Sequence, residues 1–393
     1  MIFNTLIYYF LFLLPAAGLF RVVKSDWRPL VCIGAGSGFF LYFSITQFGG
    51  YFGAACLLMF VWESLFSRLY KKGSIFCLIG VAQAVIFLFI FKYWNFFTGL
   101  AFHFSEENPL RWSSIFLPLG ISFFTFEFIH YAVDRYKGTT EAGRLRDYLA
   151  FILFFPTMVA GPIKRYQDFL PNLLQPSTDF TLDWNRGITR ILSGLIKKFA
   201  IADVLSTLTN HLNHADIAVA PRWVLIIWIL AYGIHIYFDF SGYSDIAIGS
   251  ARLFGITVKE NFNWPYLQTN IADFWACWHI TLYRWLIDYI FIPLGGSRVS
   301  PIMIYRNVMI TMAFSGLWHG AGLNFVVWGL WHGALLCGHR LWRKWRDPLP
   351  AETSLGARLS GWVLTFTLVT LGWAFFCMDI HTALFFFQRL LIG

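Results

Sequence analysis

The chain has 393 residues, of which 58% are hydrophobic, 20% are aromatic and only 13% are charged. This composition excludes a soluble globular protein, which needs more polar residues to cover its surface. The formal net charge of +9 does not indicate nucleic acid as a partner, because the Lys and Arg residues fall in short loops between apolar runs, as the positive-inside rule describes. We therefore expect an integral membrane protein that is surrounded by lipid.

Apolar runs of spanning or near-spanning length recur along the whole chain. They predict an all-α polytopic membrane protein with about eleven or twelve helices, since roughly 20 apolar residues cross the hydrocarbon core. The predicted segments are 2–20, 30–47, 51–66, 75–94, 115–133, 148–163, 187–208, 223–240, 274–294, 303–322, 325–341 and 361–378. No linker or low-complexity tract separates them, so we expect a single domain over residues 1–393.

The loop charges predict the orientation of the chain. The first segment has no basic stretch before it and no small-residue cleavage site, so we expect a retained helix and not a signal peptide. Basic residues follow the first, third and fifth segments, whereas residues 48–50 are uncharged and residues 102–108 are acidic. The positive-inside rule then places the N-terminus outside the cytoplasm. The six cysteines occur singly without C-x-x-C spacing, so no metal site is predicted.

Polar residues and Pro/Gly breaks interrupt the apolar runs from about residue 148 onward. Three such interruptions are residues 158–165 (MVAGPIKR), 239–245 (DFSGYSD) and 261–265 (NFNWP). Lipid cannot satisfy the backbone groups of a broken helix, so such segments must be enclosed by protein or line a wet cavity. This half of the chain is therefore predicted to form a polar funnel or tunnel.

One candidate histidine lies in residues 269–288, which read as a helix capped by Thr269 or Asn270. Inside it, His279 lies among tryptophans, and the alternative to a functional role is an interior histidine held by hydrogen bonds. Arg284 and Asp288 are four residues apart, a spacing that suits a structural ion pair.

Two further histidines lie in similar motifs, SGLWHGAG at 315–322 and GLWHGA at 329–334. His319 and His332 are each flanked by small residues that allow close backbone approach. The turn-like residues 322–324 predict two consecutive antiparallel helices, so both side chains can face one cavity. The alternative is a pair of packing motifs whose histidines hydrogen-bond each other.

A buried neutral imidazole is a suitable base for taking a proton from a hydroxyl, which acyl transfer to a hydroxyl requires. The oxyanion that develops also needs a donor, such as a second histidine, a Trp indole or a Tyr hydroxyl. The sequence has neither a G-x-S-x-G elbow nor a phosphate-cradling Gly-rich loop, so soluble hydrolases and nucleotide hydrolases are not indicated.

Six ordered motifs together resemble the membrane-bound O-acyltransferase superfamily. They are residues 155–169, 238–249, 261–266, 273–280, 291–296 and 316–321, and with residues 117–126 the resemblance covers about 115–335. Within the superfamily the chain is most similar to bacterial alginate and peptidoglycan O-acetyltransferases, and next to the D-alanyl transferases of teichoic acid synthesis. The resemblance implies a ring of helices around a central tunnel.

The resemblance also implies roles for particular residues. His319 matches the family's essential histidine, and His279 matches the second position. The residues that would line or support the tunnel are Asp239, Tyr243, Asp245, Trp278, Arg284, Asp288, Trp318 and His332. Lys164, Arg165, Lys197 and Lys198 lie at segment rims, where they either contact the phosphates of a donor or only set the membrane orientation. Glu127 and His130, one turn apart, depart from the pattern of the acetyltransferases.

By the same resemblance, the protein would carry an acyl group, preferably acetyl, from a cytoplasmic thioester to hydroxyls of an extracytoplasmic polysaccharide or partner protein. The donor would be acetyl-coenzyme A or an acyl carrier protein thioester, used as a substrate, with no tightly bound cofactor. The location would be the bacterial inner membrane. One alternative is a D-alanyl or other acyl transferase. A second alternative, in a different class, is a transporter, because buried His and Asp residues also indicate proton or substrate paths.

Overall fold

A computed structural model gives the fold for residues 5–48, 50–104, 108–112, 117–346 and 354–392. Every regular element in these ranges is helical, which confirms the all-α class. Glu106 and Glu107, which make the predicted outer loop acidic, and the start of the predicted fifth segment at Ile115 lie outside the described residues. The described chain clusters into two compact units, 1–195 with 243–259, and 196–242 with 260–393. The single domain stays a prediction.

The first unit contains ten α-helices among its described residues, besides short π-helical and 3-10 turns. They are α1 Leu14–Val22, α2 Arg28–Phe48, α3 Gly50–Phe66, α4 Ile75–Leu88, α5 Trp94–Ala101, α6 Ile121–Lys137, α7 Leu145–Ile152, α8 Phe155–Met158, α9 Tyr166–Leu174 and α10 Phe180–Ile196. Local signals set several of these ends. Ser74 caps α4 by accepting a hydrogen bond from the amide of Phe76, and α6 ends at Gly138, whose φ of 74° suits a residue without a Cβ.

The second unit contains the helices that carry the candidate histidines. They are α11 Asp203–Thr209, α12 His214–Val219, α13 Arg222–Leu253, α14 Ile271–Cys277, α15 Ile280–Leu286, α16 Pro301–His319, α17 Leu323–Trp345, α18 Leu355–Cys377 and α19 Ile380–Leu391, with the end of α13 continuing into the first unit. Asn270 caps α14 by accepting hydrogen bonds from the amides of Ala272 and Asp273, one of the two predicted caps.

Four helices among the described residues are long and apolar enough to cross a membrane. They are Ser25–Thr46, Ile75–Ala101, Arg222–Leu253 and Leu355–Cys377, and each contains or overlaps a predicted segment. The chain is therefore a polytopic α-helical membrane protein. The larger number of crossings, about eleven or twelve, and the ring around a tunnel stay predictions.

Two predicted continuous segments are broken in the structure. Segment 148–163 divides into the end of α7, the short α8 and a non-helical stretch up to residue 165. Pro156 and Pro162 have no amide hydrogen to donate, so a helix through this stretch loses backbone hydrogen bonds. Segment 274–294 is interrupted between α14 and α15, and its end is a π-helical turn over Ile287–Phe291. Apolar composition alone does not reveal such breaks.

A buried ion cluster holds three parts of the first unit together. Asp183 lies 2.8 Å from Arg21 Nη2 and 2.7 Å from Arg252 Nε. Arg21 also donates from Nε to the carbonyl oxygen of Leu253 at 2.9 Å. The cluster therefore connects α1, α10 and the C-terminal end of α13 through a charge-assisted hydrogen bond from Arg21 and a close ion pair with Arg252.

Candidate active site

His279 lies at the break between α14 and α15. Its φ of 43° is in the left-handed region, which is uncommon for residues other than glycine. Such a conformation costs about 1–3 kcal/mol and persists where the surroundings impose it. The helix predicted to run through His279 is therefore wrong at this residue, and the break turns the side chain into a wall of buried aromatic rings.

Asn261 holds this break with both its backbone and its side chain. Its carbonyl oxygen accepts from the amide of Ile280 at 2.9 Å. Its Oδ1 accepts from the amide of Thr281 at 3.3 Å and from the Thr281 hydroxyl at 2.9 Å. The same Oδ1 lies 3.0 Å from Nδ1 of His279. Asn261 itself is fully buried, so these bonds are shielded from water.

These contacts assign the tautomer of His279. Because the amide of Thr281 can only donate, the atom of Asn261 that faces it is the oxygen. An oxygen beside Nδ1 of His279 requires that this nitrogen carry the hydrogen. In the neutral ring, Nε2 then has the free lone pair, and it makes no hydrogen bond within the described part of the chain. His279 thus presents a proton-accepting nitrogen and does not supply an N–H for an oxyanion.

His319 is the last residue of α16, and the pairing of α16 with α17 sets its position. A Cβ on Gly316 would collide with the carbonyl of Phe325, and one on Gly329 with the carbonyl of Met312. Residue 316 thus lies beside 325 and residue 312 beside 329, so the numbering falls along one helix as it rises along the other. The two helices are therefore antiparallel and very close, as the small residues predict. α16 ends where Gly320 takes an extended conformation.

The two histidine rings face each other inside an aromatic enclosure. Their centroids are 6.5 Å apart. Phe240 lies 4.7 Å from the His279 ring, and Trp328 and Phe376 each lie 5.2 Å from the His319 ring. The 6.5 Å between the centroids leaves room for one oxygen atom between the rings, and a hydroxyl there can donate its single proton to only one ring at a time. His279 is 1% exposed, whereas His319 is half-buried, so His319 is the more accessible of the two.

His332 lies behind this pair. It is fully buried against Trp328, at 4.9 Å, and Trp275, at 5.2 Å. Neither ring nitrogen has a hydrogen-bond partner among the residues that the structure describes. The alternative in which His319 and His332 satisfy each other is therefore wrong; both instead pack against Trp328.

Two of the three predicted carboxylates, Asp239 and Asp245, have basic partners within their own units. Asp239 lies 2.6 Å from Lys198 Nζ, and Asp203 lies at the same distance from that nitrogen. In the other unit, Asp245 is buried and lies 2.7 Å from Arg190 Nε. Tyr243, from the same motif as Asp245, is also buried.

The other predicted residues differ in accessibility. Lys164 is buried in an ion pair with Glu127 and Arg165 and Lys197 are half-buried. Trp318 is 5% and Trp278 2% exposed. Arg284 is exposed, and Asp288 belongs to a π-helical turn, which changes the four-residue register. The ion pair between them stays a prediction.

Asn261 and Thr281 contribute to the candidate site, and sequence reasoning did not single them out. Asn261 opens the motif at residues 261–265, but it precedes His279 by 18 residues. A loop contact of this kind has no periodic signature in the sequence. The only available signal was a polar side chain at the start of a Pro-containing break.

The helical membrane fold and the paired histidines define a membrane-embedded protein equipped for proton transfer in an apolar enclosure. The sequence comparison then identifies the family: residues 144–381 match the membrane-bound O-acyltransferase family, and the chain belongs to it. The protein is therefore an O-acyltransferase, and the transporter alternative is set aside.

Three bacterial acyltransferases are similar in sequence to this protein over most of its length. A probable alginate O-acetylase from Azotobacter vinelandii is 38% identical over 96% of this chain and 75% of its own length. A peptidoglycan O-acetyltransferase from Helicobacter pylori is 33% identical over 78% of this chain and 62% of its own length. A teichoic acid D-alanyltransferase from Bacillus subtilis is 29% identical over 82% of this chain and 84% of its own length. The two relatives named for acetyl transfer are more similar in sequence to this chain than the D-alanyltransferase is.

Proposed function

We propose that this protein transfers an acetyl group from a cytoplasmic thioester to hydroxyl groups of an extracytoplasmic polysaccharide, with His319 as the general base. The observation that carries the proposal is the facing pair of His319 and His279, with ring centroids 6.5 Å apart. A hydroxyl oxygen held between the two rings has a proton acceptor on each side. The similarity to polysaccharide O-acetyltransferases supports acetyl as the group and a polysaccharide as the acceptor.

In the proposed reaction, a lone pair of the hydroxyl oxygen attacks the thioester carbonyl carbon while a ring nitrogen of His319 takes the hydroxyl proton. The carbon–sulfur bond then breaks, and the thiolate leaves with the electron pair. The proton passes from His319 to the thiolate, which regenerates the neutral base. Nε2 of His279 is a second proton acceptor beside the hydroxyl, and Asn261 keeps that nitrogen unprotonated by accepting from Nδ1.

The remaining parts of the proposal concern the setting of the reaction. The protein lies in the bacterial inner membrane with its N-terminus outside the cytoplasm, in line with its loop charges. Acetyl-coenzyme A or an acyl carrier protein supplies the thioester, and the polar tunnel predicted from the broken helices connects it to the acceptor. A partner protein outside the cytoplasm receives the acetyl group or completes its transfer.

A D-alanyl transferase is the second candidate, favoured by the similarity to the Bacillus subtilis enzyme over 84% of that protein. Both candidates use a thioester and a hydroxyl acceptor, so the histidine pair suits either. They differ in the acyl group and its carrier.

Proteoliposomes with the purified full-length protein test the proposal. Radiolabelled acetyl-coenzyme A or D-alanyl carrier protein is supplied on one side, and acid-precipitable label is counted with alginate, peptidoglycan fragments or lipoteichoic acid as acceptors. The proposal predicts acetyl transfer to a polysaccharide. D-alanyl transfer to lipoteichoic acid without acetyl transfer would replace it with the second candidate. A vesicle set with His319→Ala protein is the background.

A further inference from the structure

The second unit contains a cavity of about 660 Å³ between the α14–α15 segment and helices α16 and α17. Its apolar wall includes Ile287, Phe291, Ile304, Val308 and Leu336. The volume falls within the range of roughly 300–1,000 Å³ found for small-molecule sites. It is large enough to hold part of a lipid or cofactor, so the chemistry of the residues at its rim indicates the class of ligand.

The rim of this cavity is a basic stripe at the C-terminal end of α17. Leu336, His339, Arg340, Arg343 and Lys344 all line the cavity, and their spacing of 3, 4, 7 and 8 residues from Leu336 places them on one face of the helix. The stripe begins at the apolar Leu336 and ends in cations at Lys344. These two residues are about 12 Å apart along the helix axis, at 1.5 Å per residue.

The cations of the stripe are available to a ligand. Arg340, Arg343 and Lys344 are exposed, and none of their side chains donates a hydrogen bond or forms an ion pair to any residue that the structure describes. Lys198, by contrast, has two carboxylates within 2.6 Å. Orientation in the membrane and the helix dipole account for basic residues at this helix end, but neither requires them to line a cavity with an apolar wall.

We propose that this cavity binds an anionic phospholipid, with the phosphate at Arg340, Arg343 and Lys344 and part of an acyl chain against the apolar wall. Arginine donates two parallel hydrogen bonds to a phosphate, which makes a pair of arginines a suitable headgroup site. Basic pockets between transmembrane helices on the cytoplasmic side bind anionic headgroups in this way. The proposal is independent of the acyl group that the enzyme transfers.

Thermal unfolding of the full-length protein in a neutral detergent tests the proposal. Phosphatidylglycerol and phosphatidylcholine with identical chains are titrated into wild-type protein, a triple variant Arg340→Gln, Arg343→Gln, Lys344→Gln, and a control variant Arg68→Gln, Lys71→Gln, Lys72→Gln. The control residues are also exposed cations near a helix end. We expect phosphatidylglycerol to raise the Tm of wild type and control at lower concentration than phosphatidylcholine. The triple variant should lose this preference. The phosphatidylglycerol concentration that gives half of the Tm increase should rise by about tenfold or more.

Two further arms separate the possible sources of the phosphate. Coenzyme A at millimolar concentration should not displace phosphatidylglycerol, and glycerol phosphate, the headgroup chemistry without chains, should not reproduce the shift. Equal competition by coenzyme A would make the cavity a donor site and overturn the lipid proposal. Loss of the preference in the control variant, or its retention in the triple variant, would also overturn it. If the triple variant does not fold, Arg343→Gln alone must show a weaker preference than wild type in the same assay.

Discussion

Oδ1 of Asn261 lies 3.0 Å from Nδ1 of His279 and accepts two further hydrogen bonds from Thr281. This one oxygen therefore fixes the tautomer of the histidine and the break in the helix that carries it. The left-handed backbone of His279 and the free lone pair on Nε2 depend on the same contact. The geometry of the candidate site is thus controlled by a residue outside the histidine motifs.

Asn261→Ala should lower kcat for acyl transfer by roughly 100-fold, because small displacements of a positioned group cost about this much. It should also lower the free energy of unfolding by about 1–3 kcal/mol, since buried donors lose their acceptor. Thr281→Val is the matched control, because it removes one of the three donors and leaves the contact to His279. Near-normal transfer by folded Asn261→Ala protein would show that this contact does not position His279.

His332→Phe should leave the free energy of unfolding unchanged or raise it. Both ring nitrogens of His332 are buried without partners among the described residues, and an aromatic ring of similar shape removes that cost. Transfer should stay within a few-fold of wild type, which an assay with label from the thioester measures. His332→Ala is the comparison, because it leaves a cavity that costs stability. A large loss of transfer in a stable His332→Phe protein would instead assign His332 a polar function.

Glu127→Gln should destabilise the first unit by about 3–5 kcal/mol, because it leaves the buried ammonium of Lys164 without its counter-charge. The double variant Glu127→Gln, Lys164→Met should recover much of this loss, since neither charge then remains buried. Thermal unfolding of the two variants gives the comparison. Equal stability of the single and double variants would mean that the Lys164 ammonium does not need Glu127 as its counter-charge. Contact of Lys164 with donor phosphates would then regain support.

Lys198→Gln should lower Tm without changing the salt dependence of the apparent KM for the thioester. Lys198 is paired with Asp203 and Asp239. Its removal therefore leaves two neighbouring carboxylates that repel each other, and it does not remove a free cation. Lys197→Gln, one residue away, provides the control. A KM that rises and becomes less sensitive to salt in Lys198→Gln alone would instead support a direct contact with donor phosphates.

The sequence predicted the parts of this molecule that depend on composition and short-range spacing. These were the all-α membrane class, the cap of Asn270, and the close antiparallel packing of the helices around Gly316 and Gly329. It did not predict the break at His279, because the flanking residues are as apolar as those of a continuous helix. Nor did it predict the partners of Lys164 and Lys198, since contacts to Glu127 and Asp239 join residues that are far apart in the chain.

Single-turnover acyl transfer by His319→Ala and His319→Gln proteins, reconstituted beside wild type, decides whether His319 is the general base. We expect a loss greater than the roughly 10²–10⁴-fold that general-base removal usually costs, with normal insertion and a Tm close to wild type. The half-buried position of His319 at a helix end makes a folded variant achievable. Transfer at the wild-type rate by correctly folded His319→Ala protein would contradict the assignment of His319 as the base.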